Sequence, residues 1–368
     1  LGGGIAEDDR FIERLTDRQS RLLRGLRWAP RVSVTGMAGT GKTVLASERC
    51  RDLCEQGREV AYVCFTRGLA EDMRQQSRAP TGVTTTFHKL CADKAREHAI
   101  KLPLAGRANP PAEHWSTHLP DALVAACEQT GGFFDDIVVD EAQDLTNDYL
   151  AALMFTLRDE DEGSIWIFGD DNQKVFGRGL DIPPEFVRYE LSENFRNTQS
   201  IHSHLVEMYH GASRPICIGP VGRPLDWVEH DDTVAGLRQQ LERLLSDERV
   251  HADDIVVLSP FPLERSRSAS GNSPAFRFWS SNGRAPKAAG DSRSAIRFES
   301  IKAFKGLEAP VVLLCDVDHC LGRDDGEAEF YVGLSRGRAH CLVVGSPGSR
   351  RRFEALYEAG EARPSSSG

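Results

Sequence analysis

The chain has 368 residues, of which 40% are apolar and 27% are charged, and its formal net charge is −10. This composition is typical of a globular protein and excludes a disordered chain, while no run approaches the ~18 consecutive apolar residues of a membrane span. We therefore expect a cytoplasmic protein without a membrane partner, and the length allows two domains.

The nine cysteines are scattered along the chain and contain no CxxC pair. Their odd count and their scatter argue against a disulfide framework and against a zinc ribbon. We therefore interpret the cysteines as small buried hydrophobic residues.

The predicted elements follow a linker-like stretch, LGGGIAEDD, at residues 1–9. Short apolar runs rich in β-branched residues then alternate with helical patterns, which indicates βαβ units around parallel sheets. The ten predicted strands are residues 31–36, 59–65, 82–86, 136–141, 164–170, 186–192, 254–260, 295–300, 309–317 and 339–346. The sequence therefore predicts an α/β fold with two domains of similar build.

The predicted strands divide into an N-terminal domain, residues 1–190, and a C-terminal domain, residues 191–350. A segment dominated by Ser, Arg, Ala and Gly at 264–294 is predicted to be a basic, flexible insertion. It is either a solvated loop or part of a nucleic-acid surface. Residues 351–368 are predicted to form a helix followed by a disordered tail.

The stretch GMAGTGKT, residues 36–43, lies between a predicted strand and an amphipathic helix and fits the G-x-x-x-x-G-K-[ST] pattern. Its glycines allow backbone N–H groups to curl around phosphates, and the helix N-terminus adds partial positive charge. The residues expected to bind ATP are Gly36, Ala38, Gly39, Thr40, Gly41, Lys42 and Thr43. Lys42 should reach the outer phosphates, and Thr43 should offer its hydroxyl to Mg²⁺. The alternative is an unrelated loop that matches by chance.

An acidic pair follows a later apolar run, as the second half of such a site requires. In DIVVDE, Asp140 is placed to hold Mg²⁺, and Glu141 can orient and deprotonate the attacking water. A solvated acidic turn is the alternative for this pair taken alone. Together the two motifs predict an enzyme that hydrolyses ATP with Mg²⁺ as its cofactor.

Further motifs occur in the order that one family shows. These stretches are LTDRQ, VCFTRGLAEDM, TTFHKL, DEAQD, IFGDDNQ, LSENFRNT, SIKAFKGLEAPVVLL and YVGLSRGRA. With them the chain resembles the UvrD-like superfamily 1 helicases from residue 15 to residue 345. The resemblance implies two tandem RecA-like P-loop NTPase domains that close on Mg·ATP. It also implies a compact core, because the spacing leaves little room for the accessory subdomains of larger relatives.

The resemblance implies catalytic roles for residues outside the phosphate loop. Arg196 and Arg336 resemble the two arginine fingers, whose permanently charged, planar guanidinium groups suit the γ-phosphate. Gln173 resembles the γ-phosphate sensor, so it joins Glu141 and the two arginines among the expected catalytic residues.

Three further residues resemble the nucleoside contacts of the family. Gln19 is expected to bond to the adenine edge, Phe195 to stack on the base, and Glu308 to bond to the ribose hydroxyl. For Phe195, the alternative is a core aromatic at a strand end.

Single strands are bound without sequence preference by aromatic faces combined with polar and basic groups. By resemblance, the candidates for this role are Phe65, Thr66, Arg67, Thr86, His88, Phe176, Ser300 and Lys302. The alternatives are that Phe65 and Phe176 are core residues and that His88 caps a helix. The second aromatic that the family carries after GDDNQ is missing, because KVFGRG contains only one.

Two functions fit these observations. The first is an ATP-dependent helicase or translocase core acting on single-stranded DNA, with 3′→5′ polarity implied by the resemblance alone. The second is a nucleic-acid-gated ATPase switch that regulates a fused or partner nuclease or other effector, which the acidic net charge and the reduced subdomains favour. DNA is the expected partner over RNA, although no residue identifies a reader of the 2′-hydroxyl.

Overall fold

The structure is a computed structural model that describes residues 2–13, 25–75, 82–103, 110–170, 180–209, 214–270, 273–281, 294–323 and 326–361. The chain forms two compact units. The first unit comprises Thr16–Gly36 and Gly41–Leu191, and the second comprises Leu1–Leu15, Met37–Thr40 and Ser192–Gly368.

A six-stranded parallel sheet forms the centre of the first unit. Its strands are β1 (Arg31–Gly36), β2 (Val60–Cys64), β3 (Val83–Thr86), β4 (Asp136–Val139), β5 (Ser164–Gly169) and β6 (Val187–Leu191). They lie in the order β3-β2-β4-β5-β1-β6. In β4 every residue is buried, because helices cover both faces of a parallel sheet.

In the described part of the first unit, five α-helices follow the strands. They are α2 (Lys42–Glu55), α3 (Arg67–Gln75), α4 (Phe87–Glu97), α5 (Leu119–Thr130) and α6 (Asn147–Met154), and a π-helical turn, His114–His118, precedes α5. Local side chains fix where two of these helices begin. The hydroxyl of Thr86 accepts a 3.3 Å hydrogen bond from Lys89 N, and that of Thr146 accepts a 3.4 Å bond from Tyr149 N.

The second unit contains another six-stranded parallel sheet. Its strands are β9 (Asp226–Glu229), β10 (Ile255–Ser259), β11 (Phe276–Trp279), β12 (Ser294–Ser300), β13 (Ala309–Leu314) and β14 (Gly337–Gly345). They lie in the order β11-β12-β10-β13-β14-β9. A separate parallel pair consists of β7 (Glu193–Asn194) and β8 (Ile216–Cys217).

Six α-helices belong to the described part of the second unit. They are α1 (Gly2–Glu13), α7 (Gln199–Glu207), α8 (Thr233–Glu242), α9 (Asp318–Leu321), α10 (Gly326–Ser335) and α11 (Ser349–Glu361). Asp232 caps α8, since its Oδ1 accepts hydrogen bonds from Val234 N at 3.1 Å and Ala235 N at 3.3 Å.

The structure confirms the predicted fold class, an α/β protein with two parallel sheets. All ten predicted strands are present, and their ends lie within three residues of the predicted bounds. The strands absent from the prediction are β7, β8, β9 and β11.

Two predictions about connecting segments were wrong. Residues 2–9 of the stretch interpreted as a linker lie in α1, and Ile5 is buried among apolar side chains of the second unit rather than in the N-terminal domain. Part of the predicted insertion at 264–294 is the edge strand β11, because Phe276 is buried and packs with Phe278 against the same core. Residues 282–293 lie outside the described residues.

All nine cysteines are free thiols, and each of them is buried except Cys54 and Cys217, which are half-buried. Burial raises the pKa of Cys127 to about 11 and that of Cys341 further still. In the described ranges no helix is long and apolar enough to cross a membrane.

Candidate functional site

The phosphate loop connects β1 to α2 and turns sharply at two glycines. Gly39 and Gly41 adopt left-handed backbone conformations, with φ angles of 81° and 85°, which glycine adopts at little cost. Lys42 begins α2, and its Nζ donates a 2.7 Å hydrogen bond to the carbonyl of Gly36. The same Nζ lies 3.7 Å from Asp170 Oδ2. The lysine thus folds back over the loop, where its charge can meet the outer phosphates of a nucleotide.

Asp140 lies at the carboxyl end of β4 and is fully buried. Its Oδ2 accepts a 2.8 Å hydrogen bond from the hydroxyl of Tyr62, its Oδ1 accepts a 2.9 Å bond from Glu141 N, and Thr43 bonds to the same carboxyl group. Burial and the neighbouring Glu141 raise the pKa of Asp140, although these hydrogen bonds oppose the rise. A hydroxyl beside a buried, poorly solvated carboxylate is the oxygen donor set that Mg²⁺ takes in nucleotide sites. Asp140 and Thr43 therefore fit the role of metal ligands.

Glu141 follows with a left-handed backbone, φ 56°, which is unusual for a residue with a Cβ. Its Oε2 accepts a 2.5 Å hydrogen bond from Gln143 Nε2, and Gln143 Oε1 accepts a 2.9 Å bond from Asp170 N. One amide side chain therefore connects the predicted base to the residue that faces Lys42. Gln143, Asp170 and Tyr62 are not among the site residues predicted from the sequence, although the first two lie within the stretches DEAQD and IFGDDNQ.

In the second unit, Glu308 lies among three arginines. Its Oε2 accepts hydrogen bonds from Arg196 Nε at 3.0 Å and from Arg196 Nη2 at 2.7 Å. Burial alone would raise the pKa of Glu308, but the charges of Arg196, Arg338 and Arg336 outweigh it, and the net shift of the pKa is downward. The two predicted arginine fingers thus lie close to the residue predicted to bind the ribose, and one of them is paired with it.

Arg336 is buried at the end of α10. Its Nε donates a 3.0 Å hydrogen bond to Val332 O, and its Nη2 donates a 2.7 Å bond to the hydroxyl of Ser335. These bonds orient the guanidinium group from within the same unit, which suits a positioned cation.

The tip of the phosphate loop, Met37–Thr40, groups with the second unit. The carbonyl of Gly39 accepts hydrogen bonds from the backbone N–H groups of Phe195 at 2.9 Å and Arg196 at 3.0 Å. A Cβ at Gly39 would lie 2.0 Å from Asn197 Oδ1, so only glycine fits this position. The backbone that carries Arg196 is therefore bonded directly to the loop tip.

Both backbone polar groups of Ala38, the N–H and the carbonyl, are hydrogen-bonded to side chains of the second unit. Its N–H donates to the Tyr331 hydroxyl at 2.9 Å, and its carbonyl accepts from Asn194 Nδ2 at 3.1 Å. Phe195, in the adjacent segment, is only 5% exposed, which favours the alternative of a core aromatic over a stacking partner for a base.

Five nucleic-acid candidates lie in the first unit, near the carboxyl ends of β2 and β3: Phe65, Thr66, Arg67, Thr86 and His88. Four of them have partners in the same unit, and Thr66 Oγ1 accepts a 3.4 Å hydrogen bond from Leu69 N. Thr86 caps α4, and the His88 ring lies edge-to-face with Phe65, with a centroid distance of 5.4 Å. Burial, together with the charges of His114 and Arg67, lowers the pKa of His88 to about 4.

Ser300 and Lys302 lie in the second unit, at the end of β12. Ser300 Oγ accepts a 3.2 Å hydrogen bond from Ala303 N, and the Lys302 side chain is exposed. Gln19, Gln173 and Phe176 lie outside the described residues, so their predicted roles stay predictions.

Comparison with known proteins gives one family match. Residues 19–177 match the family model of the AAA domain. No curated protein matches the chain. Among the 243 solved chains that match, a structure of the PRRSV helicase is 15% identical at a TM-score of 0.43, covering 92% of this chain and 55% of that chain. The chain thus spans about half the length of that protein.

Proposed function

We propose that this protein is an ATP-driven motor of the superfamily 1 helicase type that moves along single-stranded DNA. The observation that carries the proposal is the convergence of Lys42, Thr43, Asp140 and the Glu141–Gln143 pair at the carboxyl ends of β1 and β4. The match of residues 19–177 to the AAA domain supports the nucleotide-hydrolysing half of the proposal.

Asp140 and Glu141, together with Thr43 and Lys42, account for the proposed hydrolytic step. A bound Mg·ATP supplies the phosphoanhydride bond and a divalent charge that screens the phosphate oxygens. Thr43 and Asp140 would hold the cation, and Lys42 would neutralise the outer phosphates. Glu141, kept in place by Gln143, accepts the proton of the attacking water.

The two arginines supply charge in the same step. A guanidinium group stays protonated at any physiological pH, so Arg196 and Arg336 can stabilise the negative charge that develops on the transferred phosphoryl group. Glu308 accepts hydrogen bonds from Nε and Nη2 of Arg196, and since no described residue bonds to Nη1, that nitrogen can bind an anion. The hydrogen bonds from Phe195 N and Arg196 N to Gly39 O connect this arginine to the phosphate loop.

ATP hydrolysis measured under four conditions tests the proposal: without nucleic acid, with single-stranded DNA, with duplex DNA and with RNA. We expect single-stranded DNA to stimulate hydrolysis most, and Lys42→Ala to abolish it by removing the phosphate contact. ATP hydrolysis by the wild-type protein that is insensitive to every nucleic acid would contradict a motor. Hydrolysis that survives in Lys42→Ala would contradict the assigned site. Translocation on strands labelled at either end tests the 3′→5′ polarity.

A second function, a nucleic-acid-gated switch for a nuclease or other effector, is favoured by the compactness of the first unit. Between β3 and β4, the described residues form only α4, the π-helical turn and α5, with no accessory subdomain among them. Strand separation usually needs an additional wedge. A strand-displacement assay distinguishes the two: stimulated hydrolysis without displacement supports the switch, and displacement supports the motor.

A further inference from the structure

Trp115 is an exposed aromatic in the π-helical turn His114–His118, between α4 and α5. Its side chain is 38% exposed, although tryptophan is highly buried on average. Turns of this kind occur frequently at functional sites, because they place one side chain off the regular helical spacing. An exposed indole at such a turn has a large flat surface available for a partner.

A backbone hydrogen bond and two ring contacts fix the position of Trp115. The hydroxyl of Tyr149 donates a 2.9 Å hydrogen bond to the backbone carbonyl of Trp115. The indole lies edge-to-face with His88, at a centroid distance of 5.1 Å, and with His114, at 5.2 Å. A platform that is already ordered loses little conformational entropy when a ligand stacks on it.

His88 supports Trp115 instead of binding an anion itself. With a pKa lowered to about 4, its ring is neutral at physiological pH and offers no charge to a phosphate. Its Nε2 lies 3.4 Å from the Tyr149 hydroxyl, which gives its own proton to Trp115 O and can therefore only accept from His88. Phe65, His88 and Trp115 thus form one continuous row of rings that ends at an exposed indole.

A positive charge lies near this row. Arg67 begins α3, its side chain is exposed, and it is close enough to His88 to lower the pKa of that ring. An aromatic face beside a guanidinium group is the combination that binds an unpaired base together with its phosphate.

We propose that Trp115 is a base-stacking residue for single-stranded nucleic acid, with Arg67 as its phosphate contact. The inference rests on the proposed function, because it assumes a single-stranded partner. It places an exposed stacking surface at Trp115, in the same row of rings as Phe65 and His88, which the sequence predicts to contact nucleic acid.

Binding of a fluorescently labelled oligothymidine to the full chain tests the inference by anisotropy. We expect Trp115→Ala to raise the Kd by about tenfold or more, because one base–aromatic stack contributes on this order. Trp115→Phe should keep most of the affinity, since it retains an aromatic face. Basal ATP hydrolysis without nucleic acid should not change in either variant.

Trp28→Ala is the matched control. Trp28 belongs to the same unit, is 73% exposed, and among the described residues donates its indole N–H to Gly25 O alone, so its loss should leave the Kd unchanged. Photocrosslinking of the wild-type protein to an oligonucleotide containing 5-bromodeoxyuridine gives an answer that does not depend on a substitution. We expect the crosslinked peptide to contain Trp115.

The outcomes separate the inference from the function on which it rests. Wild-type protein that binds no single strand would overturn both. Wild-type binding that survives unchanged in Trp115→Ala, with the crosslink elsewhere, would overturn only the role of Trp115. Equal losses in the Trp28→Ala and Trp115→Ala variants would also overturn it, because the effect would then be non-specific.

Discussion

Glu141 carries the clearest mark of function at the level of single residues. A left-handed backbone at a residue with a side chain costs on the order of 1–3 kcal/mol and persists only where the surroundings impose it. Here the carboxylate is bonded to Gln143 and its N–H to Asp140, so the strain fixes the direction of the proposed base. The backbone conformation of Glu141 lowers the stability of the fold, but it orients the carboxylate for proton transfer.

We expect Glu141→Gln to bind ATP normally and to lose hydrolysis by about 10²- to 10⁴-fold, because the amide cannot accept the proton of water. Nucleotide binding by a fluorescent ATP analogue and phosphate release measure the two effects separately. Gln143→Ala is the companion variant: it leaves the carboxylate in place but unsupported, so it should reduce turnover by less. Normal turnover in Glu141→Gln would contradict the assignment of the base.

Asp140 should destabilise the protein in the absence of Mg²⁺. Its pKa is raised in the folded state, so its protonated form is favoured there, and stability is lost as the pH rises above about 4. We expect Asp140→Asn to melt at a higher temperature than the wild type at pH 7.5 with EDTA. The difference should shrink toward pH 4, where the wild-type carboxyl group is also neutral. A difference that grows as the pH falls would contradict the assigned direction of the pKa shift.

Glu308 has two competing roles, as a ribose contact and as a positioning residue for Arg196. We predict that Glu308→Gln lowers kcat by roughly tenfold with a smaller change in KM, because a charged hydrogen bond to Arg196 is lost. The same ratio should appear with 2′,3′-dideoxy-ATP, which lacks the ribose hydroxyls. An effect seen only with ATP would assign Glu308 to the ribose instead.

At the level of elements, the phosphate loop depends on glycine for two separate reasons at Gly39. Its backbone is left-handed, and a Cβ would lie 2.0 Å from Asn197 Oδ1. Gly57 has a similar φ angle of 79°, but its missing Cβ would meet nothing within 4 Å. The two positions therefore separate backbone strain from close packing.

Gly57→Ala should cost only about 1–2 kcal/mol of folding free energy and leave ATP binding intact. Gly39→Ala should in addition disrupt the loop and weaken ATP binding, while the protein stays folded. Equilibrium unfolding and nucleotide titration of both variants measure this difference. Equal nucleotide affinity in the two alanine variants would show that the packing at Gly39 is unimportant.

The strands were predictable because their apolar, β-branched runs are long and fully buried, as in Ile255–Ser259. The missed strands are short or only half-buried, such as Glu193–Asn194, and their pairing depends on contacts with distant segments. The same limit applies to the site. The glycine-rich loop and the acidic pair are local patterns, whereas the bond from Tyr62 to Asp140 joins residues 78 apart in the chain.

At the level of the whole molecule, the N-terminal helix contributes to the second unit and not to the sheet that follows it in sequence. Ile5 of α1 is buried with residues such as Leu342 and Phe298. No local pattern in LGGGIAEDD indicates this, because a single isoleucine among glycines and acids does not form an amphipathic stripe.

We expect Ile5→Ala to lower the stability of the second unit by about 2–5 kcal/mol, as for other large-to-small changes in a core. Gly4→Ala, on the same helix with nothing within 4 Å, should be neutral or stabilise by up to about 1 kcal/mol. Chemical denaturation of both variants checks the pair. Identical midpoints for the two variants would exclude α1 from the core.

The distribution of the thiols offers a natural pair of labelling positions. Cys54 lies in the first unit and Cys217 in the second, and these are the two cysteines that are not fully buried. Maleimide dyes should therefore attach there first, with one fluorophore on each unit and no engineered mutation. Energy transfer between the dyes would then report, molecule by molecule, whether the units change their separation during each turnover.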